Sequence, residues 1–253
     1  MIEKIIKDRA DVHIITLNYK RLDCTKELLK SLRKNISVDY IVTIVNNDDD
    51  EEANEWIKKQ EDCNYILDTG NLGFSRNNLA FEKVKSKYTL FINNDITVNK
   101  GFLKKMIESI EKEEINAAVG CKIVHPETKK IMHAGIIFNT AGLPLERKIP
   151  NNNKLFVNEY EPMNACTAAC LLVRSKIFDF FRFDPTYVNG WEDNDFNMRM
   201  RERGYQIIYN VLVYHLESAS PRHLKEKENV DLFIQRWIKT GKVFKITSCN
   251  LKK

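Results

Sequence analysis

Residues 12–32 read VHIITLNYKRLDCTKELLKSL, and this stretch carries the decision about fold class. Residues 12–17 form an apolar, β-branched run of the length of a buried strand. A polar break follows, and over about 22–34 Leu22, Thr25, Leu28, Leu29 and Leu32 fall on one face at helical spacing. The same unit repeats outward. Residues 40–45 (YIVTIV) read as a second strand, and 51–60 as a short helix with acids in its first turn, where the helix dipole favours them. A strand near 65–67, a helix over about 74–86, a strand at 88–92 and a helix opened by Gly101, with Leu103, Met106, Ile107 and Ile110 on its inner face, complete the first half. Alternation of this kind predicts an α/β fold, a mostly parallel central sheet with helices on both faces. Such sheets hold ligands beyond the carboxyl ends of their strands, which directs attention to Asn18, Asn46 and the Asn93-Asn94-Asp95 triplet.

The second half is less regular. Residues 131–138 and 169–173 read as strands, with a Pro/Asn-rich loop at 142–153 between them. A helix over 193–203 is stopped by Gly204, suited to the left-handed position after a helix. Residues 205–209 and 211–214 are strand-like, and a break at 218–221 (SASP) precedes a helical tail. The division expected is one domain over 1–220 and a basic amphipathic tail over 221–253. From Arg222 onward nine Lys/Arg face three Asp/Glu, so the tail holds +6 of a net +5 and the rest of the chain sums to −1. With Leu232, Phe233, Trp237, Val243 and Phe244 among its lysines, the tail offers either a peripheral contact for an anionic membrane or a face that docks back on the domain.

At 43% hydrophobic and 30% charged, the 253 residues have the balance of a globular chain with a core that needs no staples. No run approaches the roughly 18 apolar residues of a spanning helix, and the charged N-terminus does not read as a signal peptide. The six cysteines lack metal-finger spacing, so a reduced, cytoplasmic protein is expected. Nothing points to nucleic acid.

Four short segments can carry chemistry. Asn93 and Asp95 follow a strand and share a side by alternation; their oxygens suit a hard cation, Mg²⁺ or Mn²⁺, bridging a diphosphate. Taken alone, the triplet is also an ordinary turn. Gly190-Trp191-Glu192-Asp193 places acids at a helix start, where they either cap exposed N–H groups or supply a general base for an acceptor hydroxyl. His215 stands at a strand end and can complete a metal shell or simply hydrogen-bond. The segment DTGNLGFSRNN (68–78) forms a tight loop that brings its backbone close to a ligand, with Arg76 in the following turn. Its glycines match neither a P-loop nor a dinucleotide fingerprint.

In this order the segments resemble the family 2 glycosyltransferases of GT-A fold, in particular the rhamnosyltransferase-like members that build bacterial surface polysaccharides. The resemblance runs from about residue 12 to 220 through IITLNYKRLDCTKELLKSL, TGNLGFSRNN, FINNDITV, HAGIIF, TAACLLVRSKIF and YVNGWEDNDFNMRMRERGYQIIYNVLVYHLESAS, the last being the most specific. It implies an inverting transferase that moves a sugar from a nucleotide-diphospho-sugar to a hydroxyl of a glycan or lipid-linked acceptor. By resemblance, Asn93 and Asp95 occupy the D-x-D metal positions, with Asn94 between them, and His215 that of a histidine which joins the metal in some relatives. Asp193 matches the base, with Glu192 its competitor. Thr16, Asn18 and Asn46 stand where base and ribose are held, and Arg76 where a basic group closes over the nucleotide. Trp191 and Cys170 fall on the sugar and acceptor side. Two positions depart from the pattern: Asn46 and Asn93 both replace an Asp. These departures motivate the alternative of a degenerate, non-catalytic nucleotide-sugar-binding or partner-binding module. A nucleotidyltransferase is excluded, because NYKRLDCTKE (18–27) lacks the glycine-rich phosphate loop such enzymes carry after the first strand.

Overall fold

The computed structural model describes residues 2–67, 70, 73–147, 161–215 and 225–248. Asp68, Thr69, Asn71, Leu72, half of the loop expected at 142–153 (from 148 on), the 218–221 break and Cys249 lie outside the described residues.

The strands are β1 (Ile2–Lys4), β2 (Arg9–Asn18), β3 (Tyr40–Asn46), β4 (Cys63–Leu67), β5 (Lys85–Ile92), β6 (Ile96–Thr97), β7 (Asn116–Val124), β8 (Ile131–His133), β9 (Ile136–Phe138), β10 (Pro144–Glu146), β11 (Glu161–Met163), β12 (Cys170–Arg174) and β13 (Gln206–His215). The helices are α1 (Leu22–Asn35), α2 (Glu51–Lys58), α3 (Asn77–Phe81), α4 (Phe102–Glu111), α5 (Ser175–Phe181), α6 (Glu192–Glu202), α7 (Glu226–Phe233) and α8 (Lys242–Ser248). The main sheet runs β1-β4-β3-β2-β5-β12-β7-β13-β11. Strands β4, β3, β2 and β5 are parallel neighbours, β7 and β13 are parallel to each other, and β12 runs antiparallel to both β5 and β7 between the two groups.

Alternation along the strands sorts the core. Val12 and Ile14 of β2 join one apolar cluster with Leu28, Leu29 and Leu32 of α1, Ile57 of α2 and Met106 and Ile110 of α4. Ile15 points the other way, into a second cluster with Phe81 of α3, Phe178 of α5 and Phe196 of α6. Helices therefore cover both faces, as the strand–helix alternation predicts. This is the GT-A arrangement.

Four departures from the sequence reading bear on the sheet and its cover. The helix expected at 74–86 is a 3₁₀ turn (Phe74–Arg76) and the five-residue α3, because Lys85 already pairs with Arg9 in β5. Strand β7 was not anticipated: its small residues (NAAVGCKIV) carry little strand signal, yet a side chain at Gly120 would come within 2.5 Å of Cys166. The run at 131–138 breaks at Gly135, whose φ is +94°. The two runs at 205–209 and 211–214 form one strand, β13, with a bulge at Val211 (φ +38°) that shifts its register on β7 between Asn210 and Leu212.

The C-terminal helices lie against the domain. Phe233, Trp237 and Val243 are buried in a third cluster with Tyr187 and Met198, while Leu232 is half-buried and Phe244 exposed. By burial alone, Phe233 and Val243 each contribute roughly 1.5–3 kcal/mol. Among the described residues no helix is long and apolar enough to cross a membrane. The five described cysteines are free and buried.

Candidate active site

Register across the sheet builds the site. Strands β2 and β3 pair with Asn18 opposite Asn46, so the two amides end their strands side by side. Asn18 Nδ2 donates to Asn46 Oδ1 (2.7 Å), and Asn46 Nδ2 donates to Asn54 Oδ1 (2.7 Å). Thr25 Oγ1 donates to Asn18 Oδ1 (2.6 Å), and Asn94 Nδ2 donates to Thr25 Oγ1 (3.0 Å). A neutral relay thus links α2, β3, β2, α1 and the end of β5.

Beyond it opens a cleft of about 770 Å³, within the size range of small-molecule sites. Asn93, Asn94, Asp95, Trp191, Glu192, Asp193 and His215, widely separated in sequence, all line it. Pairing of β6 with β13 sets His215 opposite Ile96, and so beside Asp95. His215 Nε2 stands 2.8 Å from Asp95 Oδ1. This contact lacks the alignment of a hydrogen bond: both atoms are buried without a hydrogen-bond partner. Two electron-pair donors thus converge at a separation near the edge of an octahedron with ligands at ~2.0–2.1 Å, the Mg²⁺ distance. That arrangement fits a divalent cation.

The acidic pair begins α6. Asn189, Gly190 and Trp191 before it have φ of +54°, +138° and +73°, three consecutive left-handed residues of which two are not glycine. Such backbone costs of order 1–3 kcal/mol per strained residue and collects at functional sites. Glu192 is buried, and its Oε2 accepts from Gly190 N–H (2.7 Å). Burial and the neighbouring Asp193 charge push its pKa up to about 8. Asp193 keeps part of its surface in the cleft. Its Oδ2 accepts from Ala168 N–H (3.2 Å), and its Oδ1 from Asn194 N–H (2.8 Å). Burial raises the Asp193 pKa too, while these donors, the Thr167 side chain and nearby His133 oppose the shift. Gly73 closes the wall opposite: a Cβ there would stand 3.0 Å from Asn189 N.

Five of the expected residues do not line the cleft. Thr16, Asn18 and Asn46 are buried beneath it, the last two consumed by the relay. Arg76 is half-buried in the 3₁₀ turn. Cys170 faces the core, its thiol 3.3 Å from that of Cys121, because alternation along β12 turns it to the α1–α4 side. Asn47, His133 and Glu146 are among the lining residues that the sequence reading did not single out. Asn47, one position past Asn46, has a buried Oδ1 with no hydrogen-bond partner. His133 and Glu146 meet at 2.6 Å (Nδ1 to Oε2), and His133 Nε2 accepts from Thr167 N–H (3.3 Å). Only the HAGIIF segment hinted at His133.

Comparisons with known proteins bear on the fold and the family. The chain is 28% identical over 157 residues to the O-antigen biosynthesis protein RfbC of Myxococcus xanthus, covering 58% of this chain and 12% of that protein. It therefore spans about an eighth of that curated relative. Among solved structures it is similar to GalNAc-T7 with UDP, GalNAc and Mn²⁺ (TM-score 0.67, 12% identity, 88% of this chain and 47% of that one). It is also similar to the mannosyltransferase PcManGT of Pyrobaculum calidifontis with GDP-Man and Mn²⁺ (TM-score 0.62, 12% identity, 95% and 67%). At such identities these likenesses speak to the fold. The sequence profile of glycosyl transferase family 2 matches residues 11–181, from β2 to the end of α5. That span takes in the relay, the Asn93–Asp95 triplet and more than half of the chain, and the chain belongs to glycosyl transferase family 2.

Proposed function

We propose that this domain is an inverting glycosyltransferase of the rhamnosyltransferase-like group, moving a hexose or deoxyhexose from a nucleotide-diphospho-sugar to an acceptor hydroxyl. The observation that carries the reading is the convergence, in one cleft, of the unsatisfied Asp95–His215 pair and the Glu192–Asp193 pair. Asp193 acts as the base. Its N–H donors favour the charged form against the burial that raises its pKa, while Glu192 keeps its proton near neutral pH, so the two carboxyls take different roles. Asp193 takes the proton of the acceptor hydroxyl as that oxygen attacks the anomeric carbon and the diphosphate leaves from the opposite face. A single displacement needs one base and inverts the centre. Asn47 Oδ1, which lines the cleft without a partner, rather than Asn46, which the relay consumes, offers an acceptor to the nucleobase.

Asp95 and His215, with the Asn93 amide, would hold Mg²⁺ or Mn²⁺, which when bound supplies charge stabilisation to the departing diphosphate. Among the described residues no group of three or more His, Cys, Asp or Glu forms a metal cage, so oxygens of a bound diphosphate would have to contribute to holding the ion. The likeness to an O-antigen biosynthesis protein supports a role in surface-polysaccharide synthesis on a glycan or lipid-linked acceptor. Buried free thiols support a cytoplasmic setting.

Thermal shift with UDP, dTDP, GDP and CMP, with and without Mn²⁺, tests the reading. One nucleotide is expected to raise the Tm in a metal-dependent way, and Asp95→Ala and His215→Ala to abolish the metal-dependent part. Absence of any shift at millimolar nucleotide would favour the non-catalytic module.

A further inference from the structure

The helical segment after residue 225 packs on the back of the acidic turn, and its contacts there are specific. Asn229 of α7 is 2% exposed. Its Oδ1 accepts from Val188 N–H (3.2 Å), and its Nδ2 donates to Val188 O (2.9 Å) and Gly190 O (3.0 Å). One side chain thus satisfies three backbone groups in and beside the left-handed run at 189–191. One turn on, Phe233 lies against Trp191, ring centroids 5.2 Å apart. A π-helical turn follows (Ile234–Ile238), and there two adjacent residues reach the same buried carboxylate. Arg236 Nη1 and Trp237 Nε1 stand 2.7 and 2.9 Å from Asp195 Oδ1, while Arg199 Nε donates to Asp195 Oδ2 at 2.7 Å. Asp195 is fully buried and lies two residues past Asp193. Arg236 also pairs with Asp184 (2.9 Å), before the turn.

The segment therefore grips the acidic turn on both sides, at 184–190 and at 195. We infer that it is a positioning element of the catalytic site, with Asn229 as the residue that fixes the turn. Two non-glycine residues in left-handed backbone relax unless surrounding contacts over-determine them, and the Asn229 bonds, made to backbone, hold the turn's conformation itself. With the turn fixed, Gly190 N–H stays on Glu192 and α6 starts where Asp193 meets Ala168 N–H. Released, the turn displaces the base. This inference rests on the reading of Asp193 as base, and the experiment separates the two.

The full chain is compared with Asn229→Ala and with Val243→Ala, which truncates a buried residue of the same segment in α8 without touching the turn. For Asn229→Ala, kcat is expected to fall about 10- to 100-fold, the scale of a base moved by ~1 Å, with the metal-dependent nucleotide Kd unchanged. Val243→Ala lowers the Tm at least as much and keeps kcat within about twofold. Amide hydrogen exchange at Val188 and Gly190 quickens in Asn229→Ala but not in Val243→Ala. Unchanged kcat and exchange in Asn229→Ala, or a loss of kcat that tracks Tm in both variants, would overturn the inference. Should Asp193→Asn prove as active as the wild type, the assignment of the base fails, and the exchange comparison alone decides whether Asn229 holds the turn.

Discussion

On the side of the cleft formed by β2, β3 and β5, Asn18, Asn46, Asn54, Thr25 and Asn94 pass hydrogen bonds along a neutral chain, buried at its centre, in ordinary strand, helix and turn backbone. On the side formed by residues 187–195, the backbone turns left-handed three times running and two carboxyls with raised pKa stand next to each other. There the backbone of Val188 and Gly190 and the Asp195 carboxylate are satisfied from a distant part of the chain, by Asn229, Arg236 and Trp237. The first wall is held by neighbours in the sheet and contributes shape and stability. The second stores electrostatic and conformational free energy, and a separate helical segment must restrain it. This difference teaches that stability and reactivity are assigned to different walls, and substitutions should separate accordingly.

The largest effect is expected on the reactive wall. Asp193→Asn keeps an oxygen for only one of the two N–H donors, Ala168 or Asn194, which bond different carboxylate oxygens, and no longer takes a proton, so the transfer rate should fall roughly 10²–10⁴-fold while the Tm falls only modestly. A steady-state assay beside a melting curve checks both halves, and more than about a tenth of wild-type activity would reject Asp193 as the base.

On the quiet wall the order of effects reverses. Asn46→Asp restores the charge of the family pattern but removes the amide that donates to Asn54 and to Asp48 O. Leaving buried acceptors without a donor costs about 1–3 kcal/mol, seen as a Tm fall of about 2–4 °C per kcal/mol in a chain this size. A variant more stable than the wild type would show that the neutral relay is not what holds this wall.

The last effect is read as a change of slope with pH. Glu192 has its folded pKa raised from 4.5 to about 8, so between those values the folded state holds a proton that the unfolded state has released. Its contribution to stability is therefore complete below pH 4.5 and is lost as pH rises through about 8. Glu192→Gln removes this dependence. The Tm of the variant relative to the wild type should climb between pH 5 and 9, by some 2–4 °C for each kcal/mol involved, and a flat difference would place Glu192 in a wetter setting than the structure gives it.

Legibility followed the same division. The parallel half was readable because β-branched runs and helical periodicity are local signals, and the Asn93–Asp95 triplet because it follows a strand on a predictable side. Asn18 and Asn46 were located, but not their place in the relay: a single sequence does not show that cross-strand register sets them side by side, where Asn18 donates to Asn46. For the same reason Asn47, the unsatisfied neighbour, was overlooked. Cys170 was misplaced because the parity of β12 is fixed by its partners, not by its own residues. Asn229 gave no signal at all, since its partners lie 39 to 41 residues away and its surroundings read as a solvated, lysine-rich helix.

Strand β12 has a consequence for how the molecule can be made. It is synthesised after β7 yet lies between β5 and β7, and apart from the short β6 on β13 it is the hydrogen-bonded join between the two halves of the main sheet. A chain emerging from the ribosome can complete the pairing of β2, β3 and β4 early, while β5 keeps one bare edge until residues 170–174 arrive. An unpaired edge of that length, carrying Leu90, Phe91 and Ile92, is a template for pairing with another chain. Fragments ending before β12 should therefore be sticky rather than merely inactive, and the cleft, whose floor spans the join, comes into being only when the last pieces of the sheet are in place.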